Sequence, residues 1–333
     1  MNYRRLGKTD YAISELSLGT WQVGGKWGSG FDDAHAERII HEAIDQGVNF
    51  IDTADVYEDG KSEAAVGRVV RSRKEQVYVA SKCGRKISPH VSAGYTPEVL
   101  RGFVETSLKN SGLERIDLMQ LHCPPTEVYY RPELFELFDR LQEEGKIGRL
   151  GVSVEKVEEG LKAIEYPNVA TVQIIFNIFR QRPAELFFEE ARKKDVGLII
   201  RVPLASGLLT GKFSRDSRFS EGDHRYFNRS GEAFDKGETF AGIDYERGLE
   251  LVEELKEICA ESPESPESTL AQTALRWILM HSQVSTIIPG ASKPEQLLSN
   301  VQASELPPIQ AELFNRIEQL YLHKVKPLVH NLW

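Results

Sequence analysis

The chain has 333 residues, 41% hydrophobic and 27% charged, the balance of an ordinary globular protein, which excludes wholesale disorder. Its formal charge of -9, from 41 Lys and Arg against 50 Asp and Glu, opposes attraction to nucleic acid or anionic membranes, so neither is expected as a partner. Any anionic ligand must then be met by a local basic site.

The opening MNYRRLGKTDYAIS lacks an apolar leader, and no stretch approaches the roughly 20 apolar residues that cross a bilayer, so a cytoplasmic protein is expected. After this short polar segment, apolar runs of strand character alternate with stretches of helical periodicity. Strands are expected at residues 16–19, 49–52, 77–82, 116–122, 147–153, 171–176, 197–202 and 285–289. Helices are expected between them, at 34–46, 62–71, 97–111, 132–144, 157–164, 184–195 and 295–303. Eight strands joined by crossover helices predict an α/β fold, a (β/α)8 TIM barrel forming a single domain over residues 1–333. An open dinucleotide-binding sheet would announce a Gly-rich first turn, which is missing here.

Two segments break the rhythm. Residues 203–244 form a long polar connection, expected to act as a lid or cofactor clasp. The run ESPESPES at 261–268 reads as a solvated turn before a helix that Ser268 or Thr269 would cap. The tail, 310–333, predicts one more helix and an exit segment whose Trp333 covers a barrel mouth or packs on the surface. The glycine-rich VGGKWGSG at 23–30 has neither the P-loop order nor that of a dinucleotide fingerprint, so it reads as a loop over the mouth, with Trp27 in the pocket wall or in packing.

The strand ends carry the chemistry. Asp52 ends the second strand, Lys82 the third and His122 the fourth, with Tyr57 on the loop after Asp52. In a barrel these positions converge at the C-terminal mouth. A carboxylate buried at a strand end needs a cation, and Lys82 is the nearest candidate. A phenol holds its proton at neutral pH and can give it to a carbonyl oxygen; Lys82 is expected to lower its pKa, Asp52 to hold the ammonium and His122 to orient the substrate. No side chain supplies hydride, so a nicotinamide cofactor is implied. Strand alternation should turn Cys83 and Cys123 away from the mouth, and with Cys259 they suit neither a disulfide framework nor a metal site; no metal is expected.

The stretches LGTW at 18–21, FIDTADVY at 50–57, ASKCG at 80–84, IDLMQLH at 116–122, GKIGRLGVS at 145–153, PLASGLLTGKF at 203–213 and IPGASKPEQLLSN at 288–300 occur in an order that resembles the aldo-keto reductases over nearly the whole chain. The resemblance implies a barrel that binds NADP(H), with NAD(H) as an alternative, across its C-terminal mouth and reduces an aldehyde or ketone to the alcohol. It implies Tyr57 as general acid with Lys82, Asp52 and His122 around it. It also implies Ser153 and Gln173 at the nicotinamide carboxamide, and Gly19, Thr20 and Trp21 near the ribose, where Trp21 could equally line the substrate pocket. Pro203, Leu204, Ser206, Gly207, Leu209 and Lys212 would lie around the pyrophosphate. Ser292 and Lys293 would lie at the adenosine 2′-phosphate, with Gln296 and Asn300 beside the adenine and Gly290 also at the cofactor. Some relatives of this fold serve as cofactor-sensing regulatory subunits, which is the alternative to an enzyme.

Three positions depart from the family pattern. Val154 replaces a frequent Asn, Phe176-Asn177 replaces Tyr-Asn, and Arg201 stands where an aromatic ring commonly stacks on the nicotinamide. A guanidinium there would disfavour the oxidised cofactor relative to the reduced one. One Lys and one Ser also make a weaker phosphate grip than an Arg pair.

Overall fold

The computed structural model describes residues 1–25, 30–261 and 268–332; Trp27, most of the ESPESPES turn and Trp333 lie outside the described residues. Eight parallel strands form one sheet, in consecutive order from β3 to β10. They are β3 (Leu18–Gly19), β4 (Phe50–Asp52), β5 (Tyr78–Cys83), β6 (Ile116–His122), β7 (Ile147–Ser153), β8 (Val169–Ile175), β9 (Gly197–Arg201) and β10 (Val284–Ile287). The seam is closed by parallel bridges from Leu16 to Ile287 and from Gly19 to Gly290. The fold is a (β/α)8 barrel. Gly19 is required at the seam, because a Cβ there would sit 2.8 Å from the Ile288 carbonyl oxygen.

The polar N-terminal segment is more than a lead-in. It forms an antiparallel hairpin of β1 (Tyr3–Arg5) and β2 (Ala12–Ser14). Leu6 and Ile13 from this hairpin pack with Phe50, Ala80, Leu118 and Ile199, the inward residues of the strands, and so plug the end of the barrel opposite the strand C-termini. Alternate residues along each strand face opposite ways. Phe50 and Asp52, Ala80 and Lys82, Leu118 and Gln120 therefore share the interior, with the apolar member of each pair toward the plug and the polar one toward the other mouth.

The outward residues of the later strands meet the helices in a large apolar cluster that runs from Cys83 and Met119 through Val172 to Trp277, while Leu18, Ile51 and Val79 pack on the helices Asp33–Asp45 and Lys61–Ser72 in a second one. Local signals set the helix ends. Thr96 accepts from the Val99 N–H ahead of Pro97–Ser111, and Gly112 at φ 64° stops that helix. Thr269 forms a capping box with Gln272 at the start of Leu270–Leu279, as one of the two expected caps. The helix expected over 184–195 is instead a 3-10 turn, Arg182–Ala184, and a short helix, Phe187–Lys193, because Leu186 leaves helical geometry at φ −137°. The long connection does end at Asp244, which caps the helix Tyr245–Ala260.

Candidate active site

The convergence expected at the C-terminal mouth begins with a buried ion pair. Asp52 and Lys82 are each 1% exposed, and the Lys82 ammonium donates to Asp52 Oδ1 at 2.5 Å and to the Thr53 carbonyl at 2.8 Å. Gln120 and Gln173 both donate to Asp52 Oδ2, at 3.0 and 2.8 Å, so the carboxylate is fully satisfied. The third proton of Lys82 points to the Tyr57 hydroxyl oxygen, 3.1 Å away. Gln120 was absent from the sequence-derived set, though it stands two residues before His122 on the inward face of the same strand.

Tyr57 reaches this position on a tight loop. Glu58 and Asp59 adopt φ of 48° and 54°, and Gly60 turns the chain into the helix Lys61–Ser72. A hydroxyl chain braces the turn: the Ser62 hydroxyl donates to Thr20 Oγ1 at 2.7 Å and lies 2.9 Å from Thr53 Oγ1. Two consecutive non-glycine residues with positive φ cost energy and persist only where the surroundings hold them.

The electrostatics differ from expectation in one respect. Burial raises the Tyr57 pKa by more than the neighbouring Lys82 charge lowers it, so the phenol is a weaker acid than free tyrosine instead of a stronger one. Burial pulls Lys82 down, but Asp52 and Tyr57 outweigh it and the net shift is upward, so Lys82 is an ammonium at neutral pH. His122 is pushed well below its ordinary value by burial and then by the Lys82, Arg85 and Arg201 charges, which makes it a neutral imidazole. Its ring lies edge-on to Tyr57, centroids 6.1 Å apart.

These groups open into one cavity of about 700 Å³. Its wall includes Asp52, Tyr57, His122, Gly19, Thr20, Trp21, Gln173, Arg201, Pro203, Leu204, Ser206, Gly207, Lys212, Gly290, Gln296 and Asn300. Thr20 spends its hydroxyl on the Asp52 carbonyl, 3.0 Å away. Trp21 leans over Tyr57, centroids 6.3 Å apart, and against His224 at 4.9 Å, on the reaction side of the cavity. Gln173 has its amide N–H on Asp52, and its carbonyl accepts from the Ser153 hydroxyl at 3.4 Å.

Other expected residues fall elsewhere. Leu209 is fully buried in the apolar core and gives no side-chain surface to the cavity. Ser153 stands behind the wall. Ser292 and Lys293 are off the lining; the Ser292 N–H and hydroxyl both donate to Gln296 Oε1, at 2.9 and 3.1 Å, and Lys293 is exposed. Phe176 stacks on Trp277 outside the barrel, centroids 5.1 Å apart, while Asn177 donates to the Val202 carbonyl at 3.0 Å. Cys83 faces outward as expected, but Cys123 does not. Its φ of 45° breaks the alternation just past β6 and turns its sulfur into the cavity wall, 3.6 Å from Arg201. Burial pushes that thiol up to about 11, so it is protonated.

Arg201 forms an ion pair with Glu238 and donates to the Val154 carbonyl at 3.0 Å. Glu238 comes from the long 203–244 connection, where no periodicity marked it. The Ser206 hydroxyl donates to the Glu238 carbonyl at 2.5 Å, which ties the two halves of the connection together over the strand ends. The chain leaves β9 through Val202 at φ 52°, an unusual conformation for a β-branched residue, with Ala205 and Ser206 also at positive φ.

The family model described as the Aldo/keto reductase family matches residues 15–322. The chain is 30% identical over 316 residues to the NADH-specific methylglyoxal reductase of Escherichia coli (strain K12), covering 90% of this chain and 92% of that protein. It is 29% identical over 338 residues to a putative voltage-gated potassium channel subunit beta of Schizosaccharomyces pombe, covering 96% and 92%. Among solved structures, it is similar to a glycerol dehydrogenase from Gluconobacter oxydans, with a TM-score of 0.78, 29% identity and coverage of 97% and 96%.

Proposed function

The chain belongs to the aldo/keto reductase family, and from that premise we propose that it reduces an aldehyde or ketone to the alcohol, with a nicotinamide cofactor and with Tyr57 as general acid. The whole chain, residues 1–333, acts as a single barrel domain in this reading. The observation that carries it is the hydrogen bond from Lys82 to the Tyr57 hydroxyl at 3.1 Å, at the wall of a cavity that His122 shares.

The residues fit a dinucleotide cofactor. Lys212 lines the cavity with no partner for its ammonium among the described residues, in a stretch whose Gly207 takes φ 93°, and Gln296 and Asn300 line the same space. Lys212 and the backbone of this stretch would hold the pyrophosphate, and Ser292 and Lys293, which lie off the lining but beside its member Gln296, would take the 2′-phosphate once the Ser292 hydroxyl leaves Gln296. When bound, the cofactor supplies the hydride that the carbonyl carbon accepts.

The chain's own groups do the rest. The substrate oxygen lies between the Tyr57 hydroxyl and His122, whose neutral ring donates a hydrogen bond to it. Tyr57 transfers its proton to that oxygen as negative charge develops there. The resulting phenolate is stabilised by the Lys82 ammonium, which Asp52 fixes in place, until solvent returns the proton. No proton leaves Lys82 in the cycle, in keeping with its raised pKa.

NADP(H) is the first choice of cofactor and NAD(H) the alternative. The alternative is supported by Glu295, an acidic residue in the cavity lining three positions after Ser292, and by the Escherichia coli relative, which is named as NADH-specific. The partner is a small carbonyl or alcohol. No described helix is long and apolar enough to cross a membrane. A cofactor-sensing subunit is the second reading, favoured by the Schizosaccharomyces pombe relative's name.

The test is initial-rate kinetics with NADPH and with NADH on methylglyoxal and on aromatic aldehydes. Repeated turnover of carbonyl substrate is expected. Tight cofactor retention with no more than one turnover on any aldehyde would favour sensing and overturn the enzymatic reading.

A further inference from the structure

Arg85 follows Lys82 by three residues, just past the end of β5, and the reaction described above gives it no task. It lines the same cavity as Tyr57 and His122, and 24% of its side chain is accessible. Its bonds to the protein are few and long. Nη1 donates to the Cys123 carbonyl and to Glu155 Oε1, both at 3.3 Å, while Nε and Nη2 have no partner among the described residues. The bond to the Cys123 carbonyl places the guanidinium one residue along the backbone from His122.

The other cations of the cavity are differently placed. Arg201 is committed to Glu238 and the Val154 carbonyl, and its Nε is sealed from solvent. Arg225 gives Nε and Nη2 to Asp223. Lys212 belongs to the cofactor stretch. Arg85 is thus a guanidinium at the reaction end of the cavity with two N–H-bearing nitrogens left over, in the fork geometry that suits a carboxylate.

We infer that Arg85 anchors an anionic substituent of the substrate, and that the substrate class is an aldehyde or ketone carrying a carboxylate. This inference rests on the carbonyl-reducing role proposed for the same cavity. Trp21, Val56, Phe227 and Phe234 supply apolar wall for the carbon skeleton between the two ends. A singly charged carboxylate is favoured over a dianionic phosphate ester, because the Glu155 and Glu238 carboxylates stand in the same neighbourhood and repel each added negative charge.

The test is calorimetric titration of the full chain with benzoate, benzamide and phenyl phosphate, for the wild type, Arg85→Gln and Arg85→Lys. Benzoate is expected to bind about tenfold or more tighter than the isosteric benzamide, the range for a charge-assisted pair. Arg85→Gln should bring that ratio close to one, and Arg85→Lys should restore part of it. Equal wild-type affinity for benzoate and benzamide, or a preference that survives Arg85→Gln, would overturn the anchor. Tighter binding of phenyl phosphate than of benzoate would overturn the carboxylate assignment. Binding separates this inference from the reaction: benzoate held through Arg85 with no turnover of 4-carboxybenzaldehyde or of any other aldehyde or ketone tried sustains the anchor and sinks the carbonyl-reducing role.

Discussion

The Lys82 ammonium lies 3.1 Å from the Tyr57 hydroxyl oxygen and donates to it, while the same nitrogen donates to Asp52 Oδ1 at 2.5 Å. The phenol is consequently shifted upward by burial and restrained by Lys82, and His122 beside it stays neutral. Both proposed groups are in their working form across the neutral range. The reductive kcat/KM should therefore show no inflection from this pair between about pH 7 and 9, and should fall only above about pH 10 as the phenol loses its proton. A pH–rate profile checks this. Lys82→Met, which removes the cation facing the phenolate, should lower kcat by about a hundredfold or more.

The same pair makes a stability prediction. Asp52→Asn leaves the Lys82 charge buried at 1% exposure without its counter-ion. The expected loss is about 3–5 kcal/mol, read from denaturant unfolding. The carboxamide does not replace the charge, so unfolding midpoints close to the wild type would mean that Lys82 is neutral in the variant.

Asp55 gives a pH dependence with a definite sign. It is 1% exposed, and both of its carboxylate oxygens lack a hydrogen-bond partner among the described residues. Burial, and then the charge of Glu63, raise its pKa to about 7, against a smaller opposing effect of Lys86. A carboxyl group whose folded pKa lies above its unfolded value favours the native state at low pH. That contribution is lost as pH rises from about 4 to 7 and is flat beyond. Asp55→Asn cannot titrate, so its stability relative to the wild type should rise by about 2–3 kcal/mol between pH 5 and pH 8. Denaturant unfolding at the two pH values measures it, and a constant difference would contradict the assignment.

Arg201 was expected to act as an unbalanced charge against the oxidised cofactor, yet Glu238 pairs with it in the structure. Glu238→Gln should restore the imbalance and shift the ratio of affinities toward the reduced cofactor by about 1 kcal/mol, roughly fivefold. Arg201→Tyr should leave that ratio closer to the wild-type value than Glu238→Gln does. Fluorescence titration with both cofactor forms decides between them.

The barrel and the convergence of Asp52, Lys82, Tyr57 and His122 at one mouth were legible because they depend on short periodicities. Alternation along β4, β5 and β6 puts Asp52, Lys82 and His122 on the inward side without reference to anything distant, although Gln120, on the same face of β6, went unread. The hairpin at the N-terminus was not legible, since Tyr3–Arg5 and Ala12–Ser14 are short and their apolar partners, Leu6 and Ile13, find their setting only in the assembled barrel. Cys123 defeated the alternation rule through one left-handed residue. Glu238 was hidden by the length of its connection: a loop side chain is placed by tertiary contacts such as those of Ser206 and Arg201, and no pattern in 203–244 announces them. Leu209, placed around the pyrophosphate by motif, buries its side chain in the core, and a motif does not separate a backbone role from a side-chain one.

The most direct measurement follows the absorbance of reduced nicotinamide during turnover of an activated aromatic aldehyde by the wild type and by Tyr57→Phe, with cofactor affinity measured on both. The account predicts that the variant binds cofactor about as well as the wild type and loses activity by about a hundredfold or more, the range for removing a general acid. Turnover in Tyr57→Phe within a few-fold of the wild type would contradict it.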